Sequence, residues 1–245
     1  DLLTGEMNLV TDGTITEPQY TQFNNNTISN TPPQPRKGQI IQFFNNRIYI
    51  WGGQSPDKSI SNDLSVYDIP SNTWATLSSE NSIAGRHHIP YQLVNNHIYA
   101  YGASSTKLLI DIELNEPEDK NAFEAIKLVN IREIECTGAA PPENLYSAGM
   151  VYFESPINSE ISLVGTVHEK KQTGFIVYFG GKSASNFSLI YGLDLSKFWW
   201  FVLHVAPDGD SVTYVDGKVS DNGLFMTPRI FNCAVGYDIS KREIV

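Results

Sequence analysis

A chain of 245 residues that is 41% hydrophobic and 18% charged has ample material for a buried core. Its formal net charge of −10, with 17 Lys and Arg forming no basic stripe, excludes a nucleic acid as the main partner. Two cysteines far apart, Cys136 and Cys233, exclude a disulfide scaffold or a metal knuckle, and no run of eighteen apolar residues offers a membrane span.

In chain order, residues 1–35 hold two strand candidates, Met7 to Thr11 and Gln19 to Phe23. The first clear unit then runs from Arg36. Ile40 to Phe44 and Arg47 to Trp51 are β-branched and aromatic runs around Asn45-Asn46, a pair suited to a two-residue type I′ turn. Gly52-Gly53 ends the second strand, Leu64 to Tyr67 reads as a third, and Thr73 to Leu77, with Trp74, as a fourth. Fifty residues on, Pro90 to Ala103 repeats Ile40 to Gly53 with six of fourteen positions identical, and Arg86 repeats Arg36. A period near fifty marks a repeat of one small sheet. In this second copy Leu108 to Glu113 is expected as the third strand and Ala125 to Ile131 as the fourth, joined by a solvated acidic loop over 115–121.

The third copy begins near Pro142, with Asn144 where the earlier copies have arginine. Ser147 to Phe153, Gly174 to Phe179 (ending in Gly180-Gly181), Leu189 to Asp194 and Phe198 to Leu203 read as its four strands. The turn of its first hairpin has grown into an insert over 154–173, long enough to be functional or mobile. A fourth copy opens at Pro228-Arg229, with Ile230 to Tyr237 as its first strand. The units are therefore 36–85, 86–141, 142–227 and 228–245, with 1–35 a partial unit or lead-in. The next glycine pair is due where the sequence stops, and there is no initial Met, so further sequence is expected beyond this stretch.

Each unit has a basic residue or its equivalent, a hairpin ending in an aromatic and a glycine pair, then Tyr-Asp, then Trp, and these signals thin out in copy two, which has no Trp. This resembles the kelch repeat. The matching residues are Arg36, Gly52, Gly53, Tyr67, Asp68 and Trp74 in copy one, then Arg86, Gly102 and Asp111 in copy two. In copy three they are Gly180, Gly181, Tyr191, Asp194 and either Trp199 or Trp200. The resemblance implies an all-β, kelch-type β-propeller of the galactose oxidase-like superfamily. Its blades would be four-stranded antiparallel sheets, about three complete and two partial. It also implies that the glycines, tyrosines and tryptophans serve blade packing, and that function lies in the loops.

Two loop sets fall on one face by repeat logic. One enters each first strand: 35–38, 85–88, 142–146 and 227–229. The other joins second and third strands: 54–62, 104–107 and 182–187. By the resemblance, Arg36, Arg86 and Arg229 are candidates to hold partner carboxylates; the competing reading is that each arginine pins its own loop. His87, Asn144, Tyr146, Lys182 and Asn186 complete the candidate partner-binding set.

No catalytic or metal-binding constellation is visible. Of five histidines, His87-His88 is the only cluster, and adjacent residues are expected to point apart; His97 reads as a solvated turn residue, and His168 and His204 stand alone. The expectation is a non-catalytic, cytoplasmic scaffold or adaptor that binds a protein partner. It needs no cofactor, binds no nucleic acid and inserts no segment into a membrane. The alternative is a secreted or cell-surface kelch enzyme or carbohydrate-binding module. The sequons at Asn25 and Asn186 fit that alternative weakly.

Overall fold

The computed structural model describes residues 20–23, 26–79, 83–115, 121–154, 174–182 and 189–203, and four short strand segments at 214–215, 218–219, 237–238 and 243–244. The described strands form mostly antiparallel sheets, of six, four and five strands built on the first three copies, with two further two-stranded hairpins, and the chain divides into two compact units. The first comprises 1–85 with 114–129, the second 86–113 with 130–245.

In the first unit, β1 (Tyr20–Phe23) and β2 (Asn26–Ser29) form a hairpin whose second strand pairs with the last strand of copy one. The segment before Arg36 thus extends the first sheet instead of starting another; Met7 to Thr11 lies outside the described residues. Copy one supplies β3 (Ile40–Phe44), β4 (Arg47–Trp51), β5 (Leu64–Asp68) and β6 (Thr73–Ser79), in the sheet order β1-β2-β6-β5-β4-β3. Asn45 and Asn46 take left-handed φ of 43° and 58°, as a type I′ turn requires. Tyr67 faces Trp74 across the β5–β6 ladder with ring centroids 4.8 Å apart, and buried Val66 faces Ala75.

Copy two supplies β7 (Tyr91–Val94), β8 (His97–Ala100) and β9 (Leu108–Leu114). Its fourth strand departs from expectation. Ala122–Ala125 form a short helix, α1, continued by a 3₁₀ turn at Ile126–Leu128, and β10 starts only at Val129, running to Glu135. The reason is local. Asn121 caps the helix by accepting a hydrogen bond from Glu124 N, and Ala122, Ala125 and Ile126 bury one stripe at helical spacing. In the first unit this helix packs on β5 and β6, with Ala122 N donating to Thr73 Oγ1 (3.4 Å). Residues 116–120 of the acidic loop lie outside the described residues.

Copy three supplies β12 (Gly149–Glu154), β13 (Gly174–Phe179), β14 (Ile190–Asp194) and β15 (Trp199–Leu203), and the end of copy two adds β11 (Thr137–Gly138), in the order β11-β15-β14-β13-β12. β11 pairs parallel to β15. Within the second unit the core lies between this sheet and that of copy two. Tyr101 meets Trp200 (4.9 Å) and Tyr178 (5.7 Å), and all three rings are at most 1% exposed. Burying three such rings removes a large apolar area from water. Trp200, not Trp199, is therefore the packing tryptophan of copy three; Trp199 is exposed and stacks on Phe201. Gly102, at φ 104°, could not be another residue, since a Cβ there would stand 2.7 Å from Leu145 O.

Strand register corrects two repeat assignments. Arg47 lies opposite Asp68 in copy one, and the corresponding pair in copy two is His97 opposite Glu113. Asp111 lies opposite Tyr99, as Val66 lies opposite Tyr49, so Glu113 holds the repeat's acidic position and Asp111 a core position. In copy three Leu193 faces Trp200 as Tyr67 faces Trp74, which leaves Tyr191 two residues out of register with Tyr67. The insert over 155–173 and most of the fourth copy lie outside the described residues; there Tyr237–Asp238 pairs with Glu243–Ile244.

Candidate partner-binding site

Arg36 and Arg86 open copies one and two. Arg36 donates from Nη1 to Gly52 O (3.2 Å) and Ser61 Oγ (2.6 Å) and from Nε to Gln34 O (3.1 Å), with Asp63 at 3.6 Å. Arg86 donates from Nη1 to Gly102 O (3.1 Å) and Leu108 O (3.3 Å), and from Nη2 to Glu133 (3.0 Å). Its side chain is 3% exposed, and burial pushes its pKa below the ordinary guanidinium value while Glu133 pushes back. The fixed spacing from arginine to glycine pair thus has a mechanical cause: each guanidinium ties the loop entering the first strand to the glycine carbonyl ending the second. Pinning accounts for the geometry of both side chains, and neither guanidinium is held out toward a partner. Arg229 and Asn186 lie outside the described residues.

The other candidates gather in the second unit. Ala103 N donates to Leu145 O (2.7 Å), Asn144 N to Ser104 O (2.9 Å), and Ser147 N to His88 O (2.8 Å). Tyr146 and Lys182 exchange backbone hydrogen bonds of 3.1 and 2.8 Å. Loops from four places in the sequence, at His88, 103–104, 144–147 and Lys182, are therefore sewn into one surface. Four non-glycine residues in it adopt left-handed backbone: His88 (φ 52°), Ala103 (50°), Asn144 (56°) and Ser147 (56°). Such conformations cost about 1–2 kcal/mol each and persist only where the surroundings impose them.

His88's turn reverses an expectation drawn from the sequence. Instead of pointing apart, His87 and His88 bring their Nδ1 atoms to 2.8 Å, a hydrogen bond in which one ring donates and the other accepts. His87 also lies against the Tyr146 ring, centroids 5.5 Å apart. His87, Asn144, Tyr146 and Lys182 thus come together on one loop cluster: an aromatic pair, an amide and an exposed ammonium. Sequence reasoning placed the loop 104–107 on this face but missed Ala103, whose backbone helps hold the cluster together. The available signal was Ala103 standing where copy one has Gly53, since an alanine kept at a left-handed position is strained.

His97 is also not a solvated turn residue. It lies on β8, stacks on Tyr99 (5.7 Å, 7° between planes) and bonds through Nδ1 to Asp111 Oδ1 (2.8 Å). Asp111 is fully buried, and Arg132 donates to its other oxygen from Nε (2.8 Å) and lies within 2.7 Å through Nη2. These hydrogen bonds raise the pKa of Arg132, and burial followed by the charge of Asp111 pushes Tyr99 up to about 12. The cluster fastens β10 to β9. Cys136, just after β10, is half-buried beside the aromatic core, and burial pushes its thiol up to about 11. Cys233, His168 and His204 lie outside the described residues. Among the described residues no group of three or more His, Cys, Asp or Glu could hold a metal, and no helix is long and apolar enough to cross a membrane.

Comparison with known proteins places these features. Residues 41–79, from β3 to the end of β6, match the model of the Kelch motif. Over 154 residues the chain is 26% identical to the mouse (Mus musculus) protein named leucine-zipper-like transcriptional regulator 1; the alignment covers 60% of this chain and 17% of that protein. The chain thus matches less than a fifth of that relative's length. The motif marks a protein-interaction domain of the propeller type.

Proposed function

We propose that this kelch-repeat chain is a non-catalytic scaffold or adaptor that holds a segment of a partner protein on the loop cluster of its second unit. One observation carries the reading. Four candidates from three loops, His87, Asn144, Tyr146 and Lys182, are brought together by backbone hydrogen bonds around four left-handed residues. Strain concentrated in loops on a rigid sheet framework is characteristic of recognition surfaces. An aromatic pair beside an amide and a cation can supply both packing area and directed hydrogen bonds, the combination that anchors protein interfaces. The kelch motif and the regulatory name of the mouse relative are compatible with this role.

The test compares proteins retained on the immobilised chain with those retained on His87→Ala/Tyr146→Ala, by quantitative mass spectrometry. A defined set lost from the variant, with the melting temperature unchanged, supports the site; identical sets would refute it. The adaptor reading places the chain in the cytoplasm. Glycan mass on Asn25 or Asn186 of the native protein would overturn that placement.

A further inference from the structure

The loops of the first unit carry enough chemistry to say what kind of segment they accept. This inference rests on the proposal that the loops bind protein and adds the partner's chemistry. A cleft of about 450 Å³ is lined by Pro35, Arg36, Lys37, Gln54, Pro56 and Lys58, a size within the range of binding sites. Its frame is fixed. Lys37 and Gln54 exchange backbone hydrogen bonds (2.9 and 2.8 Å), Ser55 N donates to Ser59 O (2.9 Å), and Lys58 N donates to Ser55 O (2.9 Å). Lys58 is held at φ 72°, a left-handed conformation that a lysine adopts only when the loop imposes it.

The charges around this frame are unevenly committed. Arg36 is spent on Gly52, Ser61 and Gln34, with Asp63 beside it. Asp57 turns its carboxylate onto Ser59 N (3.0 Å) and Ser59 Oγ (2.6 Å). The ammonium groups of Lys37 and Lys58, both residues exposed, have no carboxylate within 4.0 Å among the described residues. Two uncommitted cations therefore border one proline-walled cleft, on a chain whose net charge is −10.

We propose that this cleft takes an acidic, extended peptide segment. Lys37 and Lys58 would each donate to one of its carboxylates, and the rings of Pro35 and Pro56 would pack against its methylene groups. The backbone N–H groups of Lys37, Gln54, Ser55 and Lys58 already have partners, and the one guanidinium fork is spent. That leaves separate point charges suited to separate carboxylates, and no nest or fork for a phosphate dianion. The negative charge of the rest of the chain repels an acidic segment elsewhere, so capture is confined to the cleft.

The test is fluorescence anisotropy of the full chain with a fluorescein-labelled hexaglutamate peptide, with hexalysine and a phosphoserine peptide as comparators. The expected result is saturable hexaglutamate binding that weakens with salt. It should fall at least tenfold in Lys37→Glu/Lys58→Glu, whose melting temperature should match the parent, and change little in Lys107→Glu. Absence of saturable binding, equal loss in Lys107→Glu, or tighter binding of the phosphoserine peptide would each overturn the proposal. His87→Ala/Tyr146→Ala should leave hexaglutamate binding intact, so this cleft and the loop cluster of the second unit stand or fall on separate variants.

Discussion

The sheets of copies one and two share hairpin length, turn residues and the arginine tie, yet they fill the same register position with opposite chemistry. Opposite Tyr49, copy one buries Val66, which faces Ala75. Opposite Tyr99, copy two buries Asp111, saturated by His97 and Arg132. The repeat therefore preserves strand geometry while leaving open how the fourth strand is fastened to the third, by apolar contact in one sheet and by a buried ion cluster in the other. A buried carboxylate is tolerable only when its lone pairs and charge are met, and copy two meets them from both neighbouring strands.

Exchanging the chemistry at that position is the most severe way to break the comparison. Val66→Asp places a carboxylate in an apolar slot that offers no guanidinium, and an uncompensated buried charge belongs with the most damaging substitutions. We expect a loss above about 4 kcal/mol, read as failure to fold or a collapsed urea midpoint. Next in size, Arg132→Leu strands Asp111 with His97 alone and should cost about 3 kcal/mol in chemical denaturation. Adding Asp111→Val removes the orphaned charge, and the double variant should recover to within about 1 kcal/mol of the parent; costs that simply add would show that the cluster contributes net stability.

The cores can also be separated by alkaline titration. Tyr99 is raised from an ordinary value of 10.0 to about 12, and Cys136 from 9.0 to about 11. Each is higher in the folded chain than in the unfolded one, so the unfolded state releases its proton first. Their contribution is complete below about pH 9 and is lost as pH rises through 11 to 12. The melting temperature should fall across that window. Alkylation of Cys136, followed in a Cys233→Ser background, should stay slow until the same range. A melting temperature flat from pH 9 to 12 would contradict the burial of both groups. The smallest expected effect is at the shared hairpin. Asn45→Ala, at φ 43°, should cost about 1 kcal/mol, and Asn45→Gly should be nearly neutral, both measured by thermal melts.

Much of the fold was legible because its signals are local. Asn-Asn between β-branched runs, glycine pairs and the arginine spacing each act within a few residues or one hairpin, so periodicity located nearly every strand of copies one and three. The fourth strand of copy two was misread because Ala125 to Ile131 is apolar enough for either state. Asn121 and the burial of Ala122, Ala125 and Ile126 tip its first half into a helix. The candidate site was legible only as membership. His87, Asn144, Tyr146 and Lys182 could be named from repeat logic. Their meeting depends on hydrogen bonds such as Ala103 to Leu145 and on left-handed turns at His88 and Ser147, which no local preference announces.

What the sequence by itself determined, then, is the all-β repeat: where strands begin, where the chain must turn left-handed, and which glycines admit close backbone approach. Those choices are set by sterics within a hairpin. The tertiary structure alone decided the roles of charged side chains. It turned Arg36 and Arg86 inward as ties, drew His97 to a buried aspartate, and left Lys37 and Lys58 bordering a cleft. A charge's role depends on what lies within about 4 Å of it and how much water remains, and both are fixed only when distant segments pack.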